Sequence, residues 1–264
     1  MKNILGSLIE ELSQFENDDV IRWACPVPFF GDLPNARIAT VGINPSNREF
    51  ADSSGKELRV EDRRLATLNS LGLFSWDQAS EAEVTAVSSA CRQYFDHNPY
   101  AQWFNVLDRL LGCAGYSYYG GEACHLDLVA YATRTKWGLL SAATRERMLA
   151  DGRASLASLL RDSRLETLVL NGRSVVREFE QMARTEFSRV KVDGWELPRA
   201  TGRAVDGYRY EQKISSIDDF DLGREISVIG YNHNLQSSFG VTKVVMEGIG
   251  RELGEGIRGF ATCS

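Results

Sequence analysis

The chain has 264 residues and a formal net charge of −6, and its apolar, aromatic and charged fractions are those of an ordinary globular protein. This length is enough for a single α/β domain with a full hydrophobic core. The values exclude a strongly basic protein, and no apolar run is long enough to span a membrane. The first fifteen residues include Glu10 and Glu11 and no signal-peptide cleavage site, which predicts a cytoplasmic protein.

The five cysteines predict neither disulfides nor a metal site. Their number is odd and none of them forms a CxxC pair: Cys25, Cys91, Cys113, Cys124 and Cys263. Closely spaced pairs are what a disulfide framework or a zinc site requires. We therefore expect buried thiols, with no cofactor and no metal.

Apolar residues recur at three-and-four spacing in seven segments, which predicts seven helices. The segments are residues 2–15, 59–71, 81–94, 99–111, 141–160, 175–183 and 241–253. Short runs rich in β-branched residues predict buried strands at residues 37–43, 124–131, 165–172 and 225–231. Residues 188–223 lose helical periodicity and carry several glycines, which predicts a hairpin or an excursion from the core.

Apolar strands separated by helices are typical of a parallel sheet that is covered on both faces. The sequence therefore predicts an α/β fold, a three-layer α-β-α sandwich with a four-stranded, mainly parallel central sheet. Because no linker divides the chain, residues 1–264 are expected to form one domain. In open sheets of this kind, ligands bind where loops leave the carboxyl ends of the strands.

Three of the predicted strands lead into polar loops at that edge. The first strand is followed by Asn44 and Pro45, the second by residues 132–137 and the fourth by residues 232–234. Pro45 restricts Asn44 to an extended backbone and stiffens the loop, so the Asn44 side chain is held in place. This convergence indicates a functional site, although an Asn-Pro turn also occurs without any chemistry.

Asp127 interrupts the otherwise apolar second strand. A carboxylate among core residues costs free energy unless it is paired or used. His125, two residues earlier, points to the same face of the strand and is placed to orient Asp127. Two interpretations stay open: Asp127 reads a ligand, or it is a structural residue bonded to loop amides.

Basic residues are concentrated in one part of the chain. Residues 130–210 contain fifteen Lys and Arg against ten Asp and Glu. This excess fits a surface that faces phosphates, and it equally fits arginines that are solvated on helices.

The order of these motifs resembles the uracil-DNA glycosylase superfamily over residues 37–253. The run from Gly42 to Ser46 is similar to the Gly-Ile-Asn-Pro loop of its mismatch-specific branch. Residues 233–238 occupy the place of a late His-Pro-Ser-type loop, but Asn234 replaces the proline and Leu235 the first serine. The four-cysteine iron–sulfur pattern of some thermophilic branches is absent. The resemblance implies a monofunctional DNA glycosylase with the fold of that superfamily.

The resemblance also implies a role for each site residue. A glycosylase must place a water molecule and stabilise the departing base, and it needs no metal. Asn44 would hold the attacking water, and His233 would donate a hydrogen bond to a carbonyl oxygen of the base. Ile43 and Asp127 would contact the base, and Phe50 would stack on it unless its ring is folded back on the core.

DNA is the partner that the resemblance implies. The target nucleotide must leave the duplex, and an apolar wedge, Leu235 or Phe239, would fill the gap. Polar side chains position a phosphate backbone without reading its sequence. The residues expected to contact DNA are Ser46, Asn47, Lys136, Asn234, Leu235, Ser237 and Ser238. We expect a monomer that requires no protein partner and no membrane.

Asp127 suggests the substrate. The family has an amide at this place, whereas an ionised carboxylate only accepts hydrogen bonds and suits the exocyclic amine of cytosine. Excision of plain cytosine would destroy the host genome, so the expected substrate is a hypermodified cytosine, such as the glucosylated hydroxymethylcytosine that anti-phage members of the superfamily remove. The alternatives are uracil or mismatch repair, or a silent nucleic-acid-binding module of the same fold.

Overall fold

The computed structural model of the chain describes residues 2–14, 18–199, 201–236 and 241–261. These residues contain seven α-helices: α1 (Lys2–Gln14), α2 (Leu68–Leu71), α3 (Glu81–Arg92), α4 (Ala101–Gly112), α5 (Ala142–Asp162), α6 (Arg173–Ala183) and α7 (Lys243–Ala261). They also contain six strands: β1 (Ile38–Gly42), β2 (Ala123–Asp127), β3 (Thr167–Asn171), β4 (Ser188–Lys191), β5 (Tyr208–Ile217) and β6 (Phe220–Tyr231).

All six strands form one sheet in the order β2-β1-β3-β6-β5-β4. The first four strands in this order pair in parallel. The pairs β6–β5 and β5–β4 are antiparallel. The prediction of an α/β fold with a mainly parallel sheet is confirmed. The predicted strand number is wrong, because residues 188–223 supply strands that the sequence reading left outside the core.

Helices cover both faces of the sheet. A Cβ at Gly230 would touch Val176 of α6, whereas a Cβ at Gly256 of α7 would touch Ile229. Ile229 and Gly230 are consecutive strand residues and point to opposite faces, so α6 and α7 lie on opposite sides of β6. α5 packs beside α6, and α4 packs beside α7. Every residue of β1, β2 and β3 is buried as a result.

Most predicted helices are present with shifted ends, but the helix predicted at 59–71 is wrong. Only the single 3-10 turn Val60–Asp62 and the one-turn helix α2 are helical there. Between them the backbone turns to an earlier segment, where Cys25 N donates to Ala66 O at 3.1 Å. Tertiary pairing has replaced the helix that the apolar spacing favoured.

The predicted excursion is a hairpin that extends the sheet. The connection between β4 and β5 is anchored by Trp195, which is buried. A Cβ at Gly207 would lie 2.1 Å from Trp195 Cβ, so only glycine allows this close approach. The segment is therefore fixed to the domain beside the carboxyl end of β6, where Tyr208 N donates to Asn232 Oδ1 at 2.8 Å.

Candidate functional site

The site lies at the carboxyl edge of the parallel strands. Gly42 pairs with Asp127, and Asn171 pairs with Tyr231. Val41 pairs with Leu170, so the following residues Gly42 and Asn171 also lie side by side. Paired residues of a parallel sheet point to the same face. Asp127, Gly42, Asn171 and Tyr231 therefore form one row across the edge, on the face that α4 and α7 cover.

Asn44 is held in place by the loop that follows β2. Its Nδ2 lies 3.1 Å from Thr133 Oγ1, 3.3 Å from Tyr131 O and 3.2 Å from Pro45 O. Carbonyl oxygens only accept hydrogen bonds, so the amide nitrogen must be the atom that faces them. Among the described residues, no protein donor binds Asn44 Oδ1. This oxygen is left to accept a hydrogen bond from a water molecule or a ligand.

Asp127 is buried at the end of a chain of hydrogen bonds. His125 Nε2 lies 3.3 Å from Asp127 Oδ1, and His125 Nδ1 lies 2.7 Å from Thr40 Oγ1, which also bonds the hydroxyl of Tyr118. If Asp127 is ionised, His125 donates to it through Nε2, Thr40 donates to Nδ1, and Tyr118 donates to Thr40. Each donor then has one acceptor, and Asp127 Oδ2 stays available. The expectation that His125 orients Asp127 agrees with this geometry.

Gly42 makes room for the Asp127 carboxylate. A Cβ at this position would lie 2.4 Å from Asp127 Oδ1 and 3.0 Å from His125 Nε2. Any side chain on Gly42 would therefore displace both groups. The glycine of the Gly-Ile-Asn-Pro run is therefore required here by the side chains of the neighbouring strand.

Glu49 is a second buried carboxylate at this edge. It ends the 3-10 helix Asn47–Glu49 that follows the Asn44 loop, and its residue is 3% exposed. Burial raises the pKa of Glu49 to about 7, the Tyr94 hydrogen bond and the Arg64 charge lower the pKa, and the negative charge of Asp127 raises it. Near neutral pH both the acid and the ionised form of this carboxyl group are therefore present.

Aromatic side chains form a wall beside these carboxyl groups. The half-buried Trp103 meets His125 edge to face, with ring centroids 5.0 Å apart. Arg64 lies over the ring of Tyr100 with its Cζ 5.6 Å from the centroid, and its Nη1 donates to Arg48 O. Flat rings and a guanidinium group are suited to hold a planar base.

His233 lies away from this cluster. Its Nε2 lies 2.6 Å from the carbonyl oxygen of Trp195, so Nε2 carries a proton. Burial lowers the pKa of His233, while the Trp195 hydrogen bond raises it. The neutral ring has only Nδ1 left, which is an acceptor. In this geometry His233 cannot donate to a base carbonyl, and the predicted role is corrected to a structural one.

Two predicted apolar contacts are also placed differently. Phe50 is 1% exposed and packs edge-on against Trp23, so its ring is folded back on the core, the second of the two alternatives. Leu235 is 7% exposed and cannot act as a wedge in this position. Phe239, Ser237 and Ser238 lie outside the described residues.

Three of the remaining predicted contacts belong to the Asn44 loop. Ile43 is half-buried, and its carbonyl accepts from Val129 N. Ser46 caps the 3-10 helix by accepting from Arg48 N, and Asn47 donates to Arg134 O. The two other positions, Lys136 and Asn234, are exposed.

The sequence reading missed Glu49, Asn171 and Leu139. Asn171 links Tyr231 OH to Gln236 Oε1 through two bonds of 2.9 Å. Leu139 is 77% exposed in the loop after β2. Asn171 carried a signal, because it is the polar end of a predicted strand. Glu49 and Leu139 carried none, since a Glu in a polar segment and a Leu before a helix are common on surfaces.

Comparisons with known proteins give no family for the chain. No protein-family model matches it, and no curated protein matches it. In the part of the chain that the structure describes, no three His, Cys, Asp or Glu side chains come together as a metal site would require, and no helix there is long and apolar enough to cross a bilayer. The chemistry of the site residues is therefore what supports a function.

Proposed function

We propose that the protein is a monofunctional DNA glycosylase that excises a hypermodified cytosine and leaves an abasic site. The observation that carries the proposal is the arrangement of Asn44 and Asp127 at the ends of two adjacent parallel strands. One of these side chains has a fixed, open acceptor oxygen, and the other is a buried carboxylate held by a histidine. The likeness of the Gly42 to Ser46 run to the uracil-DNA glycosylase superfamily supports the same function.

Asn44 is suited to hold the attacking water. Its Nδ2 donates to Thr133 Oγ1 and Tyr131 O, which fixes the orientation of the amide. Its Oδ1 then receives no hydrogen bond from the described residues and is available to a water molecule. A water that donates to this oxygen keeps a lone pair for C1′ of the deoxyribose. An amide does not take a proton as strongly as a carboxylate does, so catalysis rests on positioning and on stabilising the departing base.

Asp127 is suited to read the amine of cytosine. Its Oδ2 accepts hydrogen bonds and would repel the O4 carbonyl of uracil, whereas the N4 amine of cytosine donates. Glucosylated hydroxymethylcytosine of phage DNA is a substrate that such a site can remove without attacking the host genome. The hairpin of β4 and β5, fixed beside the carboxyl edge, is the segment that we assign to the bulky substituent.

The loop after β2 is suited to enter the duplex. Leu139 is its exposed apolar residue, and Lys136, whose carbonyl accepts from Leu139 N, is an exposed cation beside it. The same loop is tied to Asn44 through Thr133. An apolar wedge next to a cation can fill the space of a flipped nucleotide while the phosphates are held. We assign the wedge to Leu139 in place of Leu235.

The test is abasic-site formation on defined DNA. The wild type is incubated with duplexes that carry uracil, with unmodified duplexes and with glucosylated phage DNA, and strand breaks are measured after alkali. We expect breaks in the glucosylated DNA. Asn44→Ala should lower the single-turnover rate by about a hundredfold with DNA affinity unchanged, because only water positioning is lost.

The matched control is Asn69→Ala, which removes an exposed amide on α2 that donates to Glu57. This variant should cleave like the wild type. If the wild type cleaves uracil DNA alone, the substrate assignment is wrong and uracil repair replaces it. If the wild type binds DNA but makes no abasic site on any base, the protein is a nucleic-acid-binding module and the proposal fails.

A further inference from the structure

Glu49 is a buried carboxyl group to which the proposed reaction assigns no role. Tyr94 OH donates a hydrogen bond to Glu49 Oε2 and accepts one of 2.9 Å from Tyr100 N. Because Oε2 is engaged as an acceptor, Oε1 is the oxygen that carries the proton when Glu49 is in its acid form. The charged or titratable groups that act on Glu49 come from three other segments: Tyr94 before α4, Arg64 before α2 and Asp127 at the end of β2.

We propose that Glu49 in its carboxylic acid form donates a hydrogen bond to N3 of the flipped base, and that Glu49 and Asp127 together select cytosine derivatives. The inference rests on the proposed glycosylase site, whose base-reading carboxylate is Asp127. The buried position of Glu49, three residues after Ser46, places it on the loop that holds the water. Burial raises the pKa of Glu49 to about 7 because the charged form is poorly solvated there, so the acid form is present up to near neutral pH.

The pair of carboxyl groups matches the edge of cytosine and mismatches that of uracil. Cytosine presents a donor at N4 and an acceptor at N3, which fit the acceptor Asp127 and the donor Glu49. Uracil presents an acceptor at O4 and a donor at N3, so both contacts would be unfavourable. Two mispaired groups in a buried site discriminate more strongly than either alone.

The proton on Glu49 also serves the chemical step. The C1′–N1 bond breaks and its electron pair goes to the base, while the oxygen of the water held by Asn44 bonds to C1′. The Glu49 proton moves to N3, so that the cytosine derivative leaves as a neutral molecule. The proton that the water loses returns to Glu49 through solvent. Cytosine is a poor leaving group as an anion, so proton donation favours its departure.

The first experiment is a pH profile of single-turnover cleavage of glucosylated phage DNA between pH 6 and 8.5. With a Glu49 pKa of about 7, the wild-type rate should fall by about thirtyfold over this range as the acid ionises. Glu49→Gln keeps a donor at every pH but cannot transfer a proton, so its rate should be lower and nearly constant. Glu178→Gln, a second buried glutamate that lies on α6, should keep the wild-type profile.

A second variant guards against misfolding of Glu49→Gln. Tyr94→Phe removes a hydrogen bond that lowers the pKa of Glu49, so the loss of activity should move to higher pH. This shift has a direction that a merely structural role for Glu49 does not produce.

Binding to an uncleavable substrate separates this inference from the glycosylase proposal. The probe is a duplex with a 2′-fluoroarabino nucleotide of 5-hydroxymethylcytosine. Wild-type affinity should be greater at pH 6 than at pH 8.5, whereas Glu49→Gln affinity should not change. This binding result, combined with no cleavage of glucosylated phage DNA by the wild type, would support Glu49 as a base reader and reject the glycosylase proposal. Cleavage or binding with the same pH profile in the wild type and Glu49→Gln would overturn the inference.

Discussion

The two halves of the carboxyl edge are built differently. In the half formed by β1 and β2, polar side chains are fixed but keep hydrogen-bonding capacity, as Asn44 Oδ1 and Asp127 Oδ2 do. In the half formed by β3 and β6, Asn171 binds Tyr231 and Gln236, and His233 binds the Trp195 carbonyl. A binding site needs groups that are positioned and still available, a condition that the first half meets and the second half does not.

The largest expected effect concerns the buried charge of the first half. The folded-state pKa of Glu49 is about 7 against an ordinary 4.5, so the native protein keeps a proton that the unfolded chain loses between these values. Stability should fall as pH rises through this window, by about 3 kcal/mol in all. Urea unfolding of the wild type and Glu49→Gln at pH 5 and pH 8 measures the difference. An equal pH dependence of the unfolding free energy in both proteins would show that Glu49 is not the group responsible.

Asp127→Asn tests base reading in the same half. The variant is nearly isosteric but adds a donor, so one contact to the cytosine amine becomes mispaired. Cleavage of the modified cytosine should fall about ten- to a hundredfold, which corresponds to about 1–3 kcal/mol, and some uracil cleavage should appear. Single-turnover rates on both substrates and the melting temperature are measured together. A lower melting temperature with an unchanged preference would make Asp127 structural.

His233→Ala tests the second half. The substitution leaves the buried Trp195 carbonyl without its donor, so the protein should lose about 1.5 kcal/mol of stability. The cleavage rate of the folded protein should stay within about threefold of the wild type, because the ring does not face the site. A loss of rate as large as that of Asn44→Ala, with stability unchanged, would restore His233 to catalysis and break the comparison.

The smallest effect is expected for Leu139→Ala. A wedge is needed only where a base must be pulled from a stack, so cleavage of duplex DNA should fall by a few-fold while cleavage of single strands is unchanged. Val60→Ala is the control, since Val60 is also an exposed apolar residue but belongs to a different loop. Equal losses on both kinds of DNA would assign Leu139 to another role.

The sequence was most informative where local pattern and burial agree. The strands β1, β2 and β3 are mostly apolar and are buried along their whole length because helices cover both faces, and their predicted positions are within four residues of those observed. The start of the helix predicted at 141–160 is confirmed, since Ser141 caps α5 and its side chain accepts from Thr144 N at 3.0 Å. Such features depend on neighbours in the chain, and these are visible in a sequence.

The features that escaped prediction depend on distant segments. Glu49 reads as a surface charge in the sequence, but in the fold it is buried, and burial raises its pKa to about 7. His233 reads as a catalytic residue in the sequence, but in the fold its Nε2 donates to the carbonyl oxygen of Trp195, 38 residues away in the chain. All of β4 is exposed and β5 alternates irregularly in exposure, so only the pairing of β5 with β6 and of β4 with β5 identifies them as strands. Sequence spacing contains no record of such contacts.

The two edges of the sheet are both protected against pairing with a second copy of the chain. At one edge, Phe30 exchanges two backbone hydrogen bonds with His125 of β2 and covers the strand. At the other, all four residues of β4 are exposed and two of them are Arg189 and Lys191. Edge cations repel a second copy that would add its strand to the ladder. The exposed cations of β4 are therefore expected to keep this border of the sheet from templating fibrils.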